Sequence, residues 1–257
     1  MFFRLYPLLA TIIFIGLIFF TLFYFSYSFV WWVFGVGAVG IFILVRLSVG
    51  RLTSTILPAL LILGSLPTIS LMASVNIRYF VITVLSVALY LQLLAKNRIK
   101  DNPADKIALA LLSGINFLVF FVWANLIFAS LISFSDIVYP TWLMLLITAL
   151  ISFIVAKDTF ENTLYLKIKS GELRKNDINV GSLITAIATS EAAWALIFYP
   201  FRYRSTAVIL FSAFYLVFTS TQFFLTKEEK GRKLAKDIII VVVAVAIILL
   251  TSKWRYY

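Results

Sequence analysis

The stretch LYPLLATIIFIGLIFFTLFYF, Leu5 to Phe25, holds no charged residue. A helix rises 1.5 Å per residue, so roughly 20 such residues cross the ~30 Å hydrocarbon core of a bilayer. The stretch therefore reads as a membrane span. It exceeds a signal-peptide core and no small-residue cleavage pattern follows it, so it is expected to be retained. Working outward, eight further apolar segments cover about 30–45, 52–75, 79–95, 107–133, 138–156, 181–201, 205–225 and 238–252.

Composition agrees with that reading. The chain is 63% hydrophobic and 13% charged, with a mean hydropathy of +1.05, whereas soluble domains carry about 25% charged residues. The expected fold class is all-α: one polytopic membrane helix bundle over 1–257, with about nine transmembrane helices. The second, fourth and ninth segments are short and need snorkelling flanks such as Arg46, Lys96 and Lys253. The ninth has a second reading, as a helix lying on the membrane. Pro58 and Pro67 predict a kinked or broken third segment.

Charge sets the threading. With the N-terminus inside and nine crossings, 17 of the 22 basic residues fall on the inner side, from Arg4 to Lys236. Arg78, Arg202, Arg204, Lys253 and Arg255 fall outside. Cytoplasmic loops are enriched in Lys and Arg, so the bias places the N-terminus in the cytoplasm and the C-terminus outside. It also accounts for the net charge of +11 without nucleic acid. The cytoplasmic loops lie near 96–106, 157–180 and 226–237, and the last could attract anionic headgroups. The bilayer is the expected partner, and a prokaryotic cytoplasmic membrane fits. Within DTFENTLYLKIKSG, Phe160, Leu164 and Ile168 share helical spacing and Gly171 can end a short helix. A strand and a solvated loop are the alternatives.

Segments four helices apart share letters. IRYFVITVLSVALYLQLL from Ile77 resembles FRYRSTAVILFSAFYLVF from Phe201, and Trp31 precedes Arg46 as Trp142 precedes Lys157. A weak four-plus-four parallel duplication is one explanation. Chance likeness of apolar segments is the other.

The chain has no His and no Cys. That removes haem ligation by either residue, histidine-containing zinc sites, HExxH metalloproteases and Ser-His or Cys-His nucleophile pairs. An intramembrane aspartyl protease needs two membrane Asp, and a rhomboid-type protease needs His. Phosphotransfer to lipids needs several carboxylates to hold metal. GVGAVG, Gly35 to Gly40, matches a dinucleotide fingerprint by letters. It lies inside a span, where its glycines serve close helix packing. No catalytic residue, cofactor or metal is expected.

One feature remains. Of eleven acidic residues, nine fall in or beside inner loops and Asp136 lies outside. Glu191 alone sits near the middle of a span, with no Lys or Arg comparably deep. An ionised carboxylate is costly in hydrocarbon, so Glu191 is expected to carry its proton or to face a polar cavity. Small residues at Ser182, Ala186 and Ser190, at Thr185, Thr189 and Ala193, and at Ala188 and Ala192 form ridges that favour burial among helices. Trp194 shares the Glu191 face, and Arg202 continues it outward, making these three the candidate proton, cation or substrate site. Arg78 and Arg202 are candidate outer headgroup contacts. Gln92, Asn116, Asn125 and the run Thr219 to Gln222 are expected to hydrogen-bond between helices. Three functions follow: a small transporter with Glu191 in a midplane cavity, a non-catalytic membrane scaffold or subunit, and, least favoured, a lipid-modifying enzyme using Glu191 or Asp136 as a base.

Overall fold

The computed structural model describes residues 5–23, 29–49, 55–72, 74–133, 141–198, 203–226 and 231–251. Among them are ten α-helices and no strand: α1 Leu5–Phe23, α2 Phe29–Val49, α3 Ile56–Ser70, α4 Val75–Asp101, α5 Lys106–Ser133, α6 Thr141–Thr163, α7 Tyr165–Lys169, α8 Lys175–Ile197, α9 Tyr203–Thr226 and α10 Gly231–Thr251. Six described helices, α1, α4, α5, α6, α8 and α9, are long and apolar enough to cross a membrane. Shorter apolar helices cover Gly35–Leu47, Ile56–Ser70 and Ile238–Ile247. The six long helices suggest an integral membrane protein. Of the nine segments expected to span, three are thus helical with shorter apolar lengths.

The chain divides into two compact units, Met1–Val122 and Trp123–Tyr257. In the first, α1 packs on α2 and α4, and α3 packs on α4. Gly37 matters at the α1–α2 contact, because a Cβ there would lie 2.5 Å from Leu17 Cδ1. Gly35 and Gly40 meet nothing within 4 Å, so of the three glycines in GVGAVG one serves close packing. α3 runs unbroken from Ile56 to Ser70 with Pro67 inside it, rather than as two halves.

The fourth segment is not short. α4 continues through Ala95-Lys-Asn-Arg-Ile-Lys-Asp101, because Lys and Arg are good helix formers. Lys96 is accordingly buried at 6% exposure, and its expected snorkelling role is corrected. NPAD, Asn102 to Asp105, then turns the chain. Asn102 Oδ1 accepts from the Ala104 N–H at 3.2 Å, and Asp105 Oδ1 accepts from Ile107 and Ala108 N–H groups at 3.0 and 3.1 Å. Asp105 thereby satisfies donors that the start of α5 leaves unpaired. Beyond the turn, Gln92 Nε2 donates to Asn116 Oδ1 at 3.2 Å, both residues fully buried. This is the interhelical bond expected of them.

In the second unit α8 packs on α6 and α9, and α10 packs on α9. The segment after α6 is helical rather than extended. α7 ends at Lys169, and Gly171 takes φ +81°, a conformation glycine adopts without steric cost. Phe160 and Leu164 are buried, and Phe160 stacks on Phe218 at 4.3 Å between centroids. Lys167 Nζ donates to the Thr226 carbonyl at the end of α9, 3.3 Å away, a favourable place for a cation.

Candidate functional site

α8 has two chemically different sides. Ser182, Thr185, Ala186, Thr189 and Ala193 are buried. Their size lets backbones approach closely. Gly181 marks the tightest point: a Cβ there would lie 2.9 Å from Leu225 Cδ1 and 3.1 Å from Thr221 Cγ2 on α9. The hydroxyls on this side are occupied. Ser182, Thr185 and Thr189 donate to the carbonyls of Ile178, Gly181 and Thr185 one turn back, at 2.8, 2.9 and 2.6 Å. Ser190 Oγ instead reaches α6, donating to the Leu145 carbonyl at 3.1 Å.

Successive helical residues turn by about 100°, so Glu191 falls on the side opposite that ridge. It is exposed, not packed. The burial expected from its small neighbours is corrected: those neighbours are buried, and they turn Glu191 outward. Around it lies an apolar stripe of Val180, Ile184, Ile187, Trp194 and Phe198, all exposed. Trp194 and Phe198 meet edge-to-face at 5.5 Å. By helix rise Glu191 lies about 20 Å from Ile178 and about 10 Å from Phe198, on a helix long and apolar enough to span. A carboxylate is thus presented on an exposed face among apolar side chains, facing away from the α6 and α9 contacts of its own unit.

The other candidates separate. Arg202 and Asp136 lie outside the described residues. Arg78 is half-buried, and its Nε donates to the Met72 carbonyl at 2.6 Å. It thus ties the start of α4 to the chain leaving α3. Among the described residues no three metal-ligating side chains gather at one place.

The first unit holds a cleft that the sequence did not single out. A cleft of about 320 Å³ lies between α1 and α4, lined by Leu8, Thr11, Ile15, Phe19, Tyr79, Ile82, Thr83, Ser86, Val87 and Tyr90. Ser86 Oγ and Gln92 Oε1 are buried and have no hydrogen-bond partner among the described residues. Glu191 does not line this cleft. Comparison with protein-family models, curated proteins and solved structures finds no match to this chain.

Proposed function

We propose that this is a non-catalytic, multi-pass membrane subunit. Its α8 face, centred on Glu191, packs on a transmembrane helix of another protein that carries a basic side chain at the same depth. The observation supporting this is a carboxylate on an exposed apolar helix face. Facing lipid, such a group is costly; facing a cation, it is matched. A second copy of this chain supplies no such cation, because none of its Lys or Arg residues lies comparably deep in a span. The transporter reading places Glu191 in a cavity bounded by its own helices, and its direction away from α6 and α9 favours the subunit reading instead. The nine-crossing path, the cytoplasmic N-terminus and a prokaryotic cytoplasmic membrane belong to the same proposal. They rest on the distribution of Lys and Arg.

The natural chain has no Cys, so Ile187→Cys gives one attachment point for a photocrosslinker on the outward face. Ser182→Cys gives one on the buried face. The expected result is crosslinking from position 187, and not 182, to a membrane-spanning protein bearing Lys or Arg at the depth of Glu191. Glu191→Lys should abolish it, and exchanging the partner's basic residue for Glu should restore it. Crosslinking to lipid alone, to a second copy, or equally from both positions would overturn the proposal.

A further inference from the structure

The cleft between α1 and α4 lies in the first unit. None of its ten lining residues is charged, so it offers nothing to an ion, a phosphate or a carboxylate. From Tyr79 to Tyr90 it extends about 16 Å along α4. Phe19 and Tyr79 sit at one end, ring centroids 6.0 Å apart. At about 320 Å³ it is at the small end of the range for ligand pockets.

Ser86 gives the cleft its chemistry. Serine and threonine within helices ordinarily donate back to a carbonyl three or four residues earlier. Thr11 does so to Pro7 at 2.8 Å and Thr83 to Tyr79 at 2.9 Å, which commits both of those cleft hydroxyl hydrogens. Ser86, 4% exposed, does not, and its Oγ has no partner among the described residues. Tyr90, one turn further on, adds a phenolic donor to the same lining. Tyr79 adds a second phenol, Thr11 and Thr83 keep acceptor lone pairs, and the remaining walls are Leu, Ile, Val and Phe. A plain hydrocarbon chain fills the space without using Ser86.

We infer that the cleft binds a neutral, membrane-dissolved carbonyl compound, a quinone ring with an apolar tail, whose oxygen accepts a hydrogen bond from Ser86. A flat ring held at Ser86 suits the aromatic side chain of Tyr90 one turn away, and the tail follows the apolar wall toward Phe19 and Tyr79.

The test titrates the purified full chain in detergent with decyl-substituted benzoquinone and, as the matched hydrocarbon, decylbenzene. Thermal stabilisation and equilibrium binding are the readouts. Expected is saturable quinone binding that Ser86→Ala weakens roughly three- to tenfold, the worth of one neutral hydrogen bond. Decylbenzene binding should not change. Ser86→Leu, which narrows the cleft at its middle and removes the hydroxyl, should abolish both. Absence of saturable quinone binding, quinone affinity indifferent to Ser86→Ala, equal weakening of both probes, or unchanged binding in Ser86→Leu would each overturn the assignment.

Discussion

Replacing Glu191 by Leu separates an outward carboxylate from an internal one by the sign of its effects. A carboxylate at the centre of a membrane helix disfavours insertion by roughly 2.5–3.5 kcal/mol and Leu favours it by about 0.5 kcal/mol. Glu191 lies a turn or more from the centre of α8, so the gain in insertion is expected near 2–3 kcal/mol. Within the chain little is lost, because the exposed Glu191 side chain holds none of the contacts that join α8 to α6 and α9. The thermal stability of the isolated protein in detergent should stay within about 0.5 kcal/mol of the natural chain. Assembly should move the other way. Losing an interhelical polar contact costs about 1–2 kcal/mol in a membrane, so association with the partner should weaken roughly five- to thirtyfold. Thermal unfolding of the isolated chain measures the first effect. Energy transfer between labelled chains in bicelles, using the partner captured from position 187, measures the second. A loss of 2 kcal/mol or more in the isolated chain would refute the reasoning, since it would mean that Glu191 holds this chain's own helices together.

The Gln92–Asn116 bond should appear in a double-mutant cycle of Gln92→Leu and Asn116→Leu, read by unfolding in mixed detergents, as a coupling of about 0.6–1.7 kcal/mol; additive single effects would show the pair to be uncoupled. Gly181→Val should destabilise the α8–α9 contact by about 1–3 kcal/mol, because its Cβ arrives against Leu225 and Thr221. Gly35→Ala and Gly40→Ala, which meet open space, should leave the melting temperature nearly unchanged.

Most of the helical architecture is legible in the sequence, because length and apolarity together decide which segments can span. Each of the nine apolar segments overlaps a described helix, and six of those helices are long and apolar enough to span. What length alone does not settle is where a charged end stops the helix. α4 runs on past Lys96 because its polar tail favours helix, and Lys96 is buried as a result. The direction of Glu191 follows from helical geometry. Ser182, Thr185, Ala186, Thr189 and Ala193 are small and fall on one side at 100° steps, and the same steps carry Glu191 to the other side. Small neighbours in sequence are therefore buried on one side while Glu191 is exposed on the other. Ser86 gives no such signal. It is one hydroxyl among many in apolar helices, and only coordinates show which hydroxyls find a carbonyl.

The two sites differ in what an absent partner costs. Ser86 has a local remedy, since a change of its χ1 rotamer would bring the hydroxyl toward the Ile82 carbonyl one turn back, the kind of bond Thr83 makes to Tyr79. An empty cleft therefore costs the fold at most one hydrogen bond, and the site can fill and empty while the helices stay in place. Glu191 differs. Ionised, it can only accept, and the backbone N–H groups beside it are committed to the helix. The proposed partner's basic side chain matches it, whereas the ionised group left in lipid costs several kcal/mol. Reversible occupation suits the first arrangement and lasting assembly suits the second. Ser86→Ala should accordingly change ligand affinity without changing the protein's association, and Glu191→Leu should do the reverse.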